Sequence, residues 1–126
     1  MTQQALFTPQ RRAKQGMQAL GRLKTGQMNK TEEAYAKHLQ NLQHAGQVAW
    51  YKFEGVKLRL ADNTFYSPDF AVMLASGEMV MMEVKGFMTD DANVKIKVAA
   101  DMYPFRFFLV RKRAQKDGGG FSEVEV

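Results

Sequence analysis

The sequence predicts a single α/β domain in which two helices pack on a mixed β-sheet. Apolar residues recur at helical spacing in two segments, around Leu39 and around Val98, and alternate or run continuously in the segments between and after them. Short turns separate the middle strands, which indicates antiparallel hairpins, whereas a helix separates the last two strands, which indicates a parallel crossover. The 126 residues suffice for one core and are too few for two ordinary domains.

The first helix is predicted from the segment NKTEEAYAKHLQNLQHAG. Tyr35 and Leu39 lie four residues apart on one face, and Asn29 is a suitable N-cap because Glu32 follows three residues later, as in a capping box. Gly46 is suited to end the helix. Residues 1–28 show weak periodicity and are predicted to form a basic N-terminal arm.

Strands are predicted in the segments QVAWYKFEG, VKLRL, TFYSPDFAVML and MVMMEVK, with turns at ADN and ASGE. Pro68 lacks an N–H group, so its strand should have an edge, a bulge or a break there. The second helix is predicted in TDDANVKIKVAADMYP, where Val94, Val98 and Met102 lie four residues apart and Pro104 prevents continuation. A last strand, FRFFLVRKR, follows, and residues 114–126 are predicted to be a flexible tail.

The composition excludes several kinds of chemistry. The chain has no cysteine, which excludes disulfides, thiolate metal sites and cysteine nucleophiles and favours a reducing compartment. We find no apolar run of membrane-spanning length and no secretory signal pattern. These features lead us to expect a soluble, cytoplasmic protein that does not bind membranes.

Positive charge is concentrated at the start of the chain. The net charge is +5, and six lysines or arginines but no acidic residue precede Glu32, whereas the remainder carries twelve cations and thirteen acids. A basic arm on a nearly neutral body favours a polyanionic partner, although a solubilising tail is an alternative. The candidate nucleic-acid contacts are Arg11, Arg12, Lys14, Lys30, Lys95 and Lys97, and three further cations, Arg111, Lys112 and Arg113, end the last strand.

The strand MVMMEVK becomes polar only at its C-terminal end. Side chains alternate along a strand, so Glu83 and Lys85 share a face with Met81, while Val84 lies on the other face. Both faces are apolar earlier in the strand, which predicts a central strand covered on both sides. Asp69 belongs to the preceding strand of the same hairpin and lies near Glu83 if the register differs by no more than a residue or two.

Two neighbouring carboxylates repel each other unless a counter-charge is present, and a divalent cation would supply one. Oxygen ligands without sulfur or a nearby histidine favour Mg²⁺ or Mn²⁺ over zinc. The alternative is that Glu83 and Lys85 form a solvated ion pair at a strand end and that Asp69 serves the local turn.

The motifs Pro68-Asp69 and Glu83-Val84-Lys85, joined by a short hairpin, resemble the signature of the PD-(D/E)xK nuclease superfamily. The chain is similar in particular to small phage and prophage proteins of that superfamily, whose helix start is matched here by Asn29-Lys30-Thr31-Glu32. The resemblance covers about residues 29–112. It implies a restriction-endonuclease-like core of the order α-β-β-β-α-β within a domain of residues 29–113.

The resemblance also implies a mechanism and a substrate. Asp69 and Glu83 would bind Mg²⁺ together with the backbone carbonyl of Val84, and Lys85 would orient a water or stabilise the transition state. Glu32 would complete the metal shell or hold a second ion, a role compatible with helix capping. The implied activity is a Mg²⁺-dependent DNA endonuclease, by analogy a homodimer resembling junction resolvases, with no small-molecule substrate. A non-catalytic nucleic-acid-binding module and a protein-interaction or inhibitor module are the alternatives.

Overall fold

A computed structural model describes residues 26–85 and 90–126. Two helices and seven strands occur in this part of the chain, and a short 3-10 helix, Gln115–Asp117, precedes the last strand. Over the described residues, neither helix combines the length and the apolar character needed to cross a bilayer. In chain order the elements are α1 (Lys30–His44), β1 (Val48–Phe53), β2 (Leu58–Ala61), β3 (Thr64–Tyr66), β4 (Phe70–Leu74), β5 (Met79–Val84), α2 (Asp90–Met102), β6 (Arg106–Lys112) and β7 (Phe121–Glu125).

The main sheet has five strands in the order β1-β4-β5-β6-β7. Only β5 and β6 are parallel, and α2 connects them, whereas the other neighbours are antiparallel. The predicted mixed α/β architecture is therefore confirmed. Among the described strands, β2 and β3 pair only with each other, and they form a separate hairpin between β1 and β4 in the chain.

The segment TFYSPDFAVML forms two strands because it is broken at residues 67–69, on either side of Pro68. The buried proline has no N–H to donate to a ladder. The chain therefore leaves the small hairpin after Tyr66 and enters the main sheet at Phe70.

Both faces of the main sheet are covered. Helix α1 packs on one face around Tyr35, Leu39 and Phe70. The β2–β3 hairpin and α2 pack on the other, with Ile96 and Ala99 of the helix in that cluster. The apolar side chains of β5 divide between the faces as the alternation predicts, since Val80, Met82 and Val84 lie on the α1 side and Met81 on the α2 side.

The ends of α1 are fixed by the predicted residues. The side-chain oxygen of Asn29 accepts the backbone N–H of Glu32 at 2.8 Å, and Glu32 Oε1 accepts the N–H of Asn29 at 2.9 Å. At the other end, Gly46 has a φ of +84°, and the N–H of Gln47 donates to the carbonyl of Leu42 in a Schellman arrangement. The capping box and the glycine stop are thus confirmed.

Helix α2 does not bury the expected apolar stripe. Val94, Val98 and Met102 are 58%, 37% and 51% exposed, and Ile96 and Ala99 are buried instead. The reason is the β2–β3 hairpin, which shares the α2 face of the sheet and packs with Ile96 and Ala99. The sequence alone did not place this hairpin outside the main sheet.

The C-terminal segment differs from the flexible tail that we expected. Residues 121–125 form β7, which pairs antiparallel with β6 and extends the sheet. Three glycines with positive φ, Gly118 to Gly120, reverse the chain before it. Strand β7 is held against α1 by the ring of Phe121, whose centroid lies 5.1 Å from that of Tyr35. The Tyr35 hydroxyl donates to Glu123 Oε2 at 2.6 Å.

The buried hydroxyl of Tyr35 should make Glu123 important for stability. We expect Glu123→Ala to lower the free energy of unfolding by about 1–3 kcal/mol, because it leaves a buried donor without its acceptor. Urea denaturation measures the change. Glu125 lies on the same strand as Glu123 and makes an exposed pairing with Arg106 of β6, so Glu125→Ala is the control and should have little effect. Equal losses in both variants would contradict this role of Glu123.

Candidate metal and catalytic site

Asp69 and Glu83 lie opposite each other at one end of the main sheet. Phe70 pairs with Met82 and Ala71 with Met81, so the same register carried one residue further places Asp69 across from Glu83. Alternation puts both side chains on the α2 side of the sheet, the side of Ala71 and Met81. The predicted proximity of the two carboxylates is thereby confirmed.

Asp69 is held by the backbone of the neighbouring strand. Its Oδ2 accepts the N–H of Val84 at 2.8 Å, and its own carbonyl accepts the N–H of Glu54 at 2.7 Å. Burial, followed by the nearby charge of Glu83, raises the pKa of Asp69 from 3.8 to about 8. The Val84 N–H and Lys85 act in the opposite direction, and Glu32 adds a smaller effect that raises the pKa.

Glu83 has a hydrogen-bond partner at each carboxylate oxygen. Tyr66 donates its hydroxyl to Oε1 at 2.5 Å, and the Nζ of Lys85 lies 3.4 Å from Oε2. The side chains of Lys85 and Glu83 are only 10% and 12% exposed. The interpretation of Glu83 and Lys85 as a solvated surface pair is therefore wrong, and the predicted shared face is confirmed.

The sequence analysis missed Tyr66, which ends β3 three residues before Asp69. The residue is 7% exposed, and burial together with the charge of Glu83 raises the pKa of its hydroxyl. Its hydroxyl therefore stays protonated and donates to the carboxylate. The only local signal was its place in YSPDF, where alternation is interrupted by Pro68, so its direction could not be inferred.

Glu54 was also missed. It follows β1 with a φ of +50°, an uncommon conformation for a residue with a side chain. Its Oε1 accepts the N–H of Gly26 at 3.0 Å, and burial, with a smaller contribution from the charge of Glu32, raises its pKa. Glu54 thus joins the chain just before α1 to the same end of the sheet as Asp69.

Glu32 lies close enough to influence Asp69, although its Oε1 is engaged in the capping box of α1. Within residues 26–85 and 90–126, no three side chains of histidine, cysteine, aspartate or glutamate come together closely enough to hold a metal ion. The structure therefore brings Asp69 and Glu83 together and leaves Glu32 outside that pair. Val84, whose carbonyl is the predicted third ligand, follows Glu83 on β5 and donates its N–H to Asp69 Oδ2.

The donor set of the pair nevertheless fits a hard divalent cation. Two carboxylates face each other in a largely buried place with Lys85 as the neighbouring cation, and each retains lone pairs beyond the hydrogen bonds it accepts. Mg²⁺ needs few protein ligands, since it is commonly bound by one or two carboxylates, waters and substrate phosphate. Asp69 and Glu83 can supply that minimum.

The predicted nucleic-acid contacts are only partly placed. Lys30 is exposed at the start of α1, the helix end that carries Glu32. Lys95 lies 3.9 Å from Asp91 on its own helix, and Lys97 is exposed. The described contacts join neither of these α2 lysines to Asp69 or Glu83. Three predicted residues of the basic arm, Arg11, Arg12 and Lys14, lie outside the described residues.

The raised pKa of Asp69 predicts an unusual pH dependence. Between about pH 4 and 8 the folded protein holds a proton on this carboxyl that the unfolded chain has lost, so stability should fall as pH rises through this range. Asp69→Asn keeps an acceptor for Val84 without a charge. We expect the metal-free variant to be more stable than wild type at pH 8, by about 1–3 kcal/mol.

Thermal unfolding in EDTA at a series of pH values measures this effect. Asp62→Asn is a matched control, because the Asp62 side chain is 91% exposed in a turn and its replacement should leave the pH dependence unchanged. The assignment is contradicted if Asp69→Asn and wild type lose stability equally between pH 5 and pH 8.

We compared the chain with protein-family models, with curated proteins and with solved structures, and found no significant match among any of them. The geometry of Asp69, Glu83, Lys85 and Tyr66 is therefore the basis on which a function can be assigned. That geometry combines two carboxylates, a lysine and a buried hydroxyl at one end of the main sheet.

Proposed function

We propose that the protein is a divalent-metal-dependent nuclease that hydrolyses phosphodiester bonds of DNA. The observation that carries the proposal is the largely buried arrangement of Asp69, Glu83 and Lys85 at one end of the central strands β4 and β5. Structural ion pairs at strand ends are usually exposed, and two adjacent carboxylates that are largely shielded from water raise the free energy of a metal-free fold. Such a cost is typical of a functional site.

The order of the elements supports a core of the PD-(D/E)xK type. Helix α1 is followed by three antiparallel neighbours of the main sheet, β1, β4 and β5, and then by α2 and the parallel strand β6. This sequence of elements corresponds to α-β-β-β-α-β with the β2–β3 hairpin inserted after the first strand and β7 added at the end. The motif residues lie at the beginning of β4 and the end of β5.

Asp69 and Glu83, with the carbonyl of Val84, would hold Mg²⁺ or Mn²⁺. When bound, the ion supplies Lewis-acid polarisation of the phosphate and lowers the pKa of a bound water. The chain itself supplies the fixed positions of these ligands. The Val84 N–H orients Asp69, and the hydroxyl of Tyr66 orients Glu83, so neither carboxylate has to be ordered when the ion binds.

Lys85 supplies positive charge beside the pair without being a metal ligand. Its ammonium group lies 3.4 Å from Glu83 Oε2 and is mostly buried, where charge interactions are stronger than in water. An ammonium in this position can orient an attacking water or stabilise negative charge that develops on the phosphate oxygens. Glu32 is proposed to act from the end of α1 as an additional acidic group, outside the central pair.

A protein-interaction role has one observation in its favour, the exposed apolar stripe of Val94, Val98 and Met102 on α2. The same stripe is compatible with the homodimer that cutting of two DNA strands would require. Salt dependence separates the two roles, since DNA binding weakens steeply with salt and an apolar protein interface does not.

Cleavage should depend on Glu83 and not on the acid at the other end of the same strand. We expect Glu83→Gln to lower the rate of metal-dependent DNA cleavage at least about 100-fold, because it removes a charged ligand beside the scissile phosphate. Glu78→Gln, a change of the same kind in the turn before β5, should leave the rate unchanged.

The assay uses linear, nicked, flapped, single-stranded and four-way-junction DNA with Mg²⁺ or Mn²⁺. Loss of cleavage in Glu83→Gln alone would support the nuclease. No cleavage by the wild type on any of these substrates, with DNA binding intact, would favour a binding module on the same fold instead.

Tyr66 should affect metal binding more than stability. We expect Tyr66→Phe to raise the Mg²⁺ concentration for half-maximal cleavage about tenfold, because Glu83 loses the donor that orients it. Tyr103→Phe is the control, since its hydroxyl donates to the carbonyl of Arg59, away from the carboxylates. Equal metal requirements in the two variants would argue against a positioning role for Tyr66.

A further inference from the structure

The parallel pairing of β5 with β6 places a second cation beside the candidate site. The register pairs Glu83 with Leu109 and Val84 with Val110, so the next residues, Lys85 and Arg111, are neighbours. The backbone confirms the continuation, because the N–H of Lys85 donates to the carbonyl of Val110 at 2.8 Å. Arg111 therefore lies next to Lys85, directly beside the candidate site.

Arg111 lies on the same face of the sheet as the carboxylates. Phe107 and Leu109 of β6 pack into the cluster on the α2 side, which is also the side of Met81. Side chains alternate along β6, so Arg111 follows Phe107 and Leu109 on that side, and Lys112 lies on the other. The guanidinium thus extends from the face that carries Glu83 and Lys85.

Two arginines of β6 differ in how their charge is compensated. At the start of the strand, Arg106 makes two hydrogen bonds to the carboxylate of Glu125 and lies 3.6 Å from Glu78. Arg111 is exposed and forms no ion pair with any residue that the structure describes, and its cross-strand neighbour on β7 is the uncharged Ser122. The positive charge at the site end of β6 is therefore available to a ligand.

Acidic side chains at this site would repel an approaching polyanion. Four acids, Glu32, Glu54, Asp69 and Glu83, lie near this end of the sheet, since Glu32 and Glu83 act on Asp69 and Glu32 also acts on Glu54. Lys85 is already engaged with Glu83. A bound metal ion would offset part of this charge at the scissile phosphate but not at its neighbours. The adjacent phosphates of the same strand require a separate cation.

We propose that Arg111 binds a backbone phosphate next to the scissile one and so fixes the position of the nucleic-acid strand over the ends of β5 and β6. The proposal rests on the nuclease function proposed above. A guanidinium can contact a phosphate through two parallel hydrogen bonds, which positions it as well as attracting it. The contact is to the sugar–phosphate backbone and carries no base specificity.

The test compares Arg111→Gln with Arg106→Gln on the same strand. DNA affinity is measured for the wild type and both variants over a series of salt concentrations, with Ca²⁺ and with EDTA. We expect Arg111→Gln to weaken binding several-fold for unrelated sequences and to reduce the slope of log K against log salt by about 0.7–0.9, the contribution of one phosphate contact. Arg106→Gln should retain the affinity and slope of the wild type.

Thermal unfolding of both variants checks that the fold is retained, and Arg111→Lys serves as a second substitution that keeps the charge while removing the planar guanidinium. We expect Arg111→Lys to keep the salt slope. An unchanged slope in Arg111→Gln, or an equal loss in Arg106→Gln, would overturn the role of Arg111 while leaving the nuclease assignment intact. Absence of DNA binding by the wild type would overturn the proposed function itself.

Discussion

The interaction on which the site depends is the hydrogen bond from the Val84 N–H to the carboxylate of Asp69. It joins Asp69, the residue directly before β4, to Val84 at the end of β5. It therefore forms only when these two strands pair in one register. A slip by one residue would turn Glu83 toward the α1 side and Val84 toward the α2 side. Both sides of β5 are apolar up to that point, and burial on both faces therefore maintains the register that brings the two carboxylates together.

The β2–β3 hairpin has two roles on the α2 side of the sheet. It covers Ala71 and Met81 together with α2, and it also delivers the hydroxyl of Tyr66 to Glu83. Because the chain breaks at Pro68 directly afterwards, Tyr66 and Asp69 approach the end of β5 from two different sheets. The short segment YSPDF thus supplies both the hydroxyl of Tyr66, which donates to Glu83, and the second carboxylate, Asp69.

The sequence predicted those features that depend on neighbouring residues. The capping box of α1 needs only Asn29 and Glu32, and the two faces of β5 follow from alternation alone. The pairing of Asp69 with Glu83 could be predicted because a short hairpin links their strands, which leaves few possible registers.

The features that were missed depend on residues distant in sequence. Strand β7 is held by a contact between Tyr35 and Glu123, which lie 88 residues apart, and the hydroxyl of Tyr66 reaches Glu83 across 17 residues. In α2, both Val98 and Ile96 are suited to a buried face, and the neighbouring hairpin determines which of them is covered. Helical periodicity identified the helix but could not determine which apolar face is buried, because that depends on the β2–β3 hairpin that packs against it.

The two ends of the main sheet are built differently, and the difference favours a functional role for one of them. At the end where β5 and β6 begin, charge is compensated: Arg106 is matched by Glu125 and by Glu78. At the end where the same strands finish, Asp69 and Glu83 oppose each other, and Arg111 has no described ion-pair partner. Lys85 pairs with Glu83 at this end, but no described ion pair joins a cation to Asp69 or an acid to Arg111. An acidic pair close to an arginine without an ion-pair partner among the described residues would suit the proposed phosphodiester cleavage, which needs a place for a metal ion and a place for the adjacent phosphate.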